Sequence, residues 1–494
     1  MTPAPTSSPT SLQALRSPRL LTTEVLAGAV TTLALIPEVI SFSVIAGVDP
    51  KVSLIASVVL AISMTILGGR PAMITAAAGA VALVVAPLVH AHGTQYLLPT
   101  VILAGLVQIV FGLVGLARIM RFIPRSVMIG FVNALGILIF TAQLQHVLDV
   151  PAAVYPLFAL TLVVVLLLPR LTKAVPAPLL AIVLVTAIAM AAHLAVPTVG
   201  DQGAVSGGLP GITPLEVPLT LETLRIITPT ALSVAFVGLM ETLLTAKLVD
   251  DLTDTRSAKG RESWALGVSN ILAGFWGGIA GCAMIGQTVM NVKLGRARTR
   301  ISTLVAGVLL LVLVTVLSDL MEQIPMAALA AVMMVVAVST VDVHSVRPAT
   351  LRRMPLSETL VMVTTVVVVV LTHNLAVGVA AGALLAMVLF ARRVARVTTV
   401  RRTADAGPTR YTVHGPLFFG SSNDLVEQFD YAADARREAP VTVDFTSAQI
   451  WDASTVAVLD SVRTKYAEHG LEVEFTGLDE RSADFHGRLT GTLN

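Results

Sequence analysis

Hydrophobic runs of bilayer length, separated by short polar breaks, occupy most of the chain. They lie at about 24–46, 52–67, 73–89, 97–117, 126–145, 154–169 and 177–195, then at about 228–249, 263–280, 284–293, 301–318, 324–341, 358–373 and 375–391. A spanning helix uses about 20 apolar residues. Several runs are shorter, so the count of fourteen needs a second test. Loop charge supplies it. With the N-terminus inside and the runs alternating, the inner loops collect Arg70; Arg118, Arg121 and Arg125; Arg170 and Lys173; and Lys247, Arg256, Lys259 and Arg261. Further on they collect Lys293, Arg296, Arg298 and Arg300; Arg347, Arg352 and Arg353; and Arg392, Arg393 and Arg396. The outer loops receive Lys51 and Arg225. This is the positive-inside pattern, and adding or dropping one helix would invert everything after it. The expectation is an α-helical polytopic protein of the cell membrane with fourteen spans and both termini cytoplasmic.

Fourteen spans divide into two sevens at the long outer loop 196–224, giving halves of about 20–195 and 225–393. Two related halves with an odd number of spans must be inverted relative to each other, the plan of many secondary transporters. The halves echo one another. IPEVI around Glu38 answers LMETL around Glu241, each in the first span of its half, and GGRPAMITAAAG (68–79) answers GGIAGCAMIGQT (277–288), each at the third. Those third spans are short and interrupted by glycine. Non-helical backbone at membrane depth survives where protein or a cavity covers it, and a helix beginning there aims free N–H groups and its positive dipole end at an anion. Two such N-termini facing each other would form an anion site without a cationic side chain. Small residues also let membrane helices pack closely, but their occurrence in register in both halves favours the binding site.

After Arg402 the composition changes. RYTVHGPLFFG reads as two short strands, SSNDLVEQFDYAA as a helix and PVTVDFT as a buried strand; DASTVAVLDSVRTKYAEHG then reads as an amphipathic helix, LEVEFTG as a strand, and a last helix follows Asp479. That alternation predicts a small cytoplasmic α/β domain with a partly parallel sheet over 408–494. It leaves a disordered polar tail at 1–19, a transmembrane domain at 20–395 and a linker at 396–407.

Composition narrows the function. A mean hydropathy of +0.83, with 55% hydrophobic and 13% charged residues, excludes an ordinary soluble enzyme, in which charged residues reach about 25%. The formal net charge of +2 gives no reason to expect nucleic acid as a partner. The single cysteine, Cys282, permits neither an internal disulfide nor a protein-only thiolate metal site. The N-terminal segment has no short apolar core followed by a cleavage site, so it reads as retained. No metal site, cofactor or enzymatic motif is expected. His90, His92, His146, His193 and His373 fall near outer span ends and read as interfacial. Asp250, Asp251, Asp254, Arg256, Lys259, Arg261 and Glu262 crowd one inner loop and read as a solvated face that also contacts the tail, with a gate salt bridge as the alternative, and GRARTR (295–300) reads as an inner anchor. Glu38 and Glu241 stand apart. An ionisable group at the bilayer centre costs about 2.5–3.5 kcal/mol on insertion scales, which marks both as candidate ion-coupling residues.

The segments IPEVISFSVIAGVDP, GGRPAMITAAAGA, GLMETLLTAKLVDDLTDT, SNILAGFWGGIAGCAMIGQTVMNVKLGRARTRIS, FFGSSNDLVEQFD and VDFTSAQIWDASTVAVLD follow one another as in the SulP family of anion transporters, which includes pendrin and prestin and which this chain resembles over nearly its full length. The resemblance implies a core domain moving against a gate domain, a C-terminal STAS domain, a homodimer in the lipid bilayer, and an anion held between spans three and ten. Carried over, the substrate site comprises Ser41 and Phe42, Ala76, Ala77 and Ala78, and Ile285, Gly286 and Gln287; Glu38, Glu241 and Thr245 would serve coupling. Many relatives have glutamine where this chain has Glu38. A carboxylate facing an anion in a low-dielectric site wants a proton or cation beside it, so the expectation is proton-coupled symport of a small anion, either a dicarboxylate such as fumarate or an oxyanion such as sulfate, with H⁺ as coupling ion. The alternatives are a Na⁺-coupled bicarbonate importer, a nucleobase–proton symporter-like protein, and a non-transporting membrane-anchored STAS scaffold. In related anti-sigma-factor antagonists a phosphorylated serine follows the aspartate matching Asp452. Here Ala453 stands there, and Ser454 reads as a helix N-cap.

Overall fold

The computed structural model describes residues 9–115, 123–171, 176–203, 211–218, 220–404, 408–437 and 439–492. Arg118, Arg121 and Lys173, assigned above to inner loops, lie outside the described residues. Among the described residues, fourteen helices match the fourteen hydrophobic runs. The first half contains α1 (Pro18–Ala46), α2 (Pro50–Leu67), α3 (Gly79–His92), α4 (Leu97–Leu113), α5 (Arg125–Gln143), α6 (Val154–Leu171) and α7 (Ala177–Ala191). The second contains α8 (Leu221–Thr253), α9 (Lys259–Gly274), α10 (Ile285–Val289, continued by a π-helical turn Met290–Leu294), α11 (Ile301–Val316), α12 (Met326–Thr340), α13 (Leu356–Thr372) and α14 (Leu375–Ala395). Among the described residues, six helices (α1, α2, α4, α5, α8 and α14) are long and apolar enough to cross a bilayer by length and composition alone.

The helices sort into two groups. α1–α4 pack with α8–α11, and α5–α7 pack with α12 and α13. Glycine permits a close crossing between the two halves. A Cβ on Gly105 of α4 would lie 2.6 Å from the carbonyl oxygen of Gly267 on α9, so the two backbones touch where any side chain would separate them. Between α2 and α3 the chain forms a three-residue strand, β1 (Thr75–Ala77), and between α9 and α10 a second, β2 (Gly281–Ala283). They pair antiparallel, Ala76 opposite Cys282. Matching helix–strand–helix units joined antiparallel are what two inverted halves produce.

In the C-terminal unit the strands β3 (Thr399–Thr403), β4 (Thr409–Leu417), β5 (Val441–Ile450) and β6 (Val473–Thr476) form one sheet in that order. β3 runs antiparallel to β4, whereas β4/β5 and β5/β6 are parallel. Alternation buries Tyr411 and Val413 of β4 and Val441, Val443 and Phe445 of β5 against α15 (Ala453–Glu468). A final helix, α16 (Glu480–Leu489), is N-capped by Asp479.

Several local expectations change. The stretch 396–407, expected as a linker, contains β3; its five residues TVRRT are mostly exposed and carry no hydrophobic signal. RYTVHGPLFFG forms one strand, not two, with a register shift between Thr412 and His414. The expected helix over SSNDLVEQFDYAA is broken into short turns because Asp430 caps a new start, accepting from the Ala433 N–H. Within the expected disordered tail 1–19, Thr10 and Gln13 form a capping box that opens a helical turn at Ser11–Arg16. Asp452, not Ser454, caps α15: its Oδ1 accepts from the Thr455 N–H at 3.1 Å and from the Thr455 hydroxyl at 2.9 Å. Ser454 lies one residue inside the helix.

Candidate functional site

The centre of the membrane unit is the β1–β2 pair, and its outer edges need partners because bilayer-depth backbone has no water to bond. Side chains supply them. Asn270 of α9 accepts from the Gly281 N–H at 2.7 Å, and its amide donates to the Gly281 carbonyl at 3.2 Å and to Gln108 Oε1 at 2.9 Å. On β2, the Thr242 hydroxyl accepts from the Ala283 N–H at 3.0 Å, and Thr245 donates to the Ala283 carbonyl at 3.2 Å. On the β1 side, Ser57 accepts from the Ala77 N–H at 3.1 Å and Thr288 from the Ile74 N–H at 3.0 Å. The strand ends are thereby fixed, and α3 and α10 start directly from them. Neither start has a side-chain cap, so the first N–H groups, which lack intrahelical acceptors, stay available.

Beyond those starts lies a cavity of about 350 Å³. Of the sequence-derived site residues, Glu38, Phe42, Ala78, Glu241, Ile285, Gly286 and Gln287 line it. Glu38 of α1 and Gln287 of α10 both line it, and the Cys282 thiol donates to Glu241 Oε2 at 2.9 Å. Four candidates are elsewhere. Ala76 and Ala77 are fully buried in β1, where their backbone pairs with β2. Thr245 spends its hydroxyl on the Glu241 and Ala283 carbonyls. Ser41 is buried beside α1's cavity face, its Oγ without a partner among the described residues. The sequence reading missed the other wall: Phe131, Val132, Leu135 and Ile139 of α5, and Val336, Ser339 and Thr340 of α12. Apolar positions in apolar helices give no signal of what they line. Among the described residues, no lysine or arginine lines the cavity.

Of the seven clustered charges, Asp251, Asp254, Arg256, Lys259 and Arg261 are exposed, as a solvated face requires, while Asp250 and Glu262 are drawn into less exposed joints. Arg70 pairs with Asp250 at 2.9 Å and donates to Thr255 and Thr253. Glu262, 1% exposed, accepts the backbone N–H groups of Gly69 and Arg70. The C-terminal carbonyls of α2 are held by two guanidinium groups: Arg261 bonds Leu67 and Ile66, and Arg300 bonds Thr65 and Gly68. Cations there also suit the helix dipole. Glu24 of α1, a buried carboxylate the sequence reading passed over, accepts from the N–H groups of Arg298, Thr299 and Ser302 at the start of α11.

With this geometry in hand, comparison with known proteins is informative. The sulfate permease family model matches residues 21–158 and 149–365, and the STAS domain model matches 399–488. The Bacillus subtilis protein named "Putative sulfate transporter YbaR" is 49% identical over 459 residues, covering 93% of this chain and 95% of the relative. The bicarbonate transporter BicA of Picosynechococcus is 25% identical, covering 83% of this chain and 81% of its own. Among solved structures, the murine Slc26a9 anion transporter in an inward-facing state superposes with a TM-score of 0.81 at 16% identity, covering 95% of this chain and 87% of that one. The transmembrane domain of a cyanobacterial BicA gives 0.66 at 24% identity, covering 73% and 97%.

Proposed function

The chain belongs to the sulfate permease family of anion transporters, and from that premise we propose that it moves a small anion into the cell by proton-coupled symport, the anion occupying the cavity between α3, α10 and the α5–α12 wall. The observation that carries the coupling is the charge of the lining. Two carboxylates, Glu38 and Glu241, border the cavity, and no basic side chain does so among the described residues. In a low-dielectric space an anion is repelled by an ionised carboxylate. Anion entry therefore goes with a proton on Glu38, which lines the same cavity as Gln287 and as a neutral carboxyl can donate as well as accept. Once the anion has left to the inside, Glu38 gives up its proton there, and the empty carrier then returns. Glu241, held by the Cys282 thiol, shapes the same field.

The test is uptake of labelled anions by liposomes containing the full chain, with an inward proton gradient, with an inward Na⁺ gradient and with neither. Uptake that follows the proton gradient supports symport. Uptake that follows Na⁺ alone, or exchange indifferent to both gradients, overturns it.

A further inference from the structure

The cavity's two walls differ in chemistry, and that difference bears on which anion fits. The α5–α12 wall presents Phe131, Leu135, Ile139 and Val336 together with the hydroxyls of Ser339 and Thr340. Each hydroxyl rests on the Val336 carbonyl of its own helix, at 2.8 and 2.9 Å, so donating to a ligand costs it that bond, and the rest of this wall is apolar. Donors come from the other side, from the Gln287 amide and the backbone around Ala78 and Gly286. Glu38 and Glu241 stand on that side too, which limits the negative charge it tolerates. The space, about 350 Å³, falls in the range of pockets that hold organic ligands, about 300–1,000 Å³.

One glycine reports on the shape of this space. A Cβ on Gly286 would meet nothing within 4 Å although the residue lines the cavity. Its missing side chain is therefore missing on the substrate's side. Gly79 is different: a Cβ there would lie 2.6 Å from Phe42 Cε1, so its smallness serves packing.

We propose that the anion is an organic monocarboxylate with a compact apolar body, its carboxylate toward Gln287 and its body against α5 and α12, and that Gly286 sets how large that body can be. This rests on the transport reading above. A sulfate or dicarboxylate would leave oxygens facing a mostly apolar wall whose two hydroxyls must first leave the Val336 carbonyl, each unmatched oxygen lowering affinity roughly tenfold.

The test pairs binding with transport. Purified full chain is titrated calorimetrically with butyrate, benzoate, sulfate and fumarate, and uptake of the same four is followed in proton-driven liposomes, for wild type and Gly286→Ala. The expected result is butyrate and benzoate binding at least about tenfold more tightly than sulfate or fumarate, with Gly286→Ala weakening benzoate more than butyrate. Sulfate or fumarate binding as tightly as the monocarboxylates, no binding by either monocarboxylate, or equal effects of Gly286→Ala on the two would overturn it. The two readings fail separately: monocarboxylate binding without proton-driven uptake sinks symport and supports the class, whereas proton-driven sulfate uptake does the reverse.

Discussion

Cys282 Sγ donates to Glu241 Oε2 across 2.9 Å, tying the middle residue of β2 to the cavity carboxylate of α8. Cys282 is fully buried and sits opposite Ala76 in the strand pair, so strand register and carboxylate position are fixed together. Cys282→Ser keeps a donor of similar size, while Cys282→Ala leaves the carboxylate one partner short. Hydrogen bonds to charged groups contribute about 1.5–3 kcal/mol. Initial uptake rates are therefore expected to fall about tenfold or more in the alanine variant and to stay near wild type in the serine variant. Equal rates in both would mean the thiol only fills space.

Arg70, just past the C-terminal end of α2, pairs with Asp250 of α8, and its own backbone N–H bonds Glu262 of α9. Its side chain is 5% exposed and that of Asp250 15%. Removing one member of a buried pair strands the other charge, at about 3–5 kcal/mol. Arg70→Met should lower the thermal midpoint of the detergent-solubilised protein by many degrees, and adding Asp250→Asn should recover part of the loss. A midpoint unchanged by Arg70→Met would show the pair to be solvated.

In the C-terminal domain, Asp452 caps α15 with one oxygen and accepts from the Phe419 N–H at 2.6 Å with the other. Asp452→Ala should cost the domain about 1–2 kcal/mol, as cap removal does. Ser454→Ala should cost close to nothing. Denaturant unfolding followed at Trp451 distinguishes them, and the reverse order would restore Ser454 as the cap.

The Asp444 carboxyl is held down at about 2, from 3.8, by hydrogen bonds from the Thr446 hydroxyl, the Thr446 N–H and the Arg410 guanidinium. A depressed folded value means the ionised form is favoured by folding. Its contribution is complete above the unfolded value and lost as pH falls through the folded one. Acid destabilisation of β4 and β5 should therefore develop between about pH 4 and pH 2 in wild type and be flattened in Asp444→Asn, measured by pulse-labelled hydrogen exchange. Identical profiles would remove Asp444 from the acid response.

Much of this was legible in the chain because membrane spans announce themselves by length and loop charge. The glycine-interrupted segments at 68–79 and 277–288 pointed to broken backbone and to the helix starts, since only covered backbone can break at that depth, but gave no sign that the two breaks pair as strands. Glu38 and Glu241 stood out for being charged among apolar neighbours. Phe131, Leu135 and Val336 could not stand out in that way: a wall residue and a lipid-facing residue read alike. Asp250 and Glu262 were misread for the opposite reason, because a run of charges looks solvated until folding brings Arg70 and the Gly69 N–H against it. β3 escaped notice because TVRRT owes its strand state to pairing with β4 rather than to its own pattern.

The role of Glu38 as carrier of the coupling proton is tested most directly by anion uptake into liposomes at a series of inward proton gradients, for wild type and Glu38→Gln. Glutamine keeps the size and a hydrogen-bonding head group but cannot gain or lose a proton. The expected result is wild-type uptake that rises with the gradient and mutant uptake that is flat across it. A mutant whose uptake still rises in parallel with the gradient would contradict the assignment and leave Glu38 a structural part of the cavity wall.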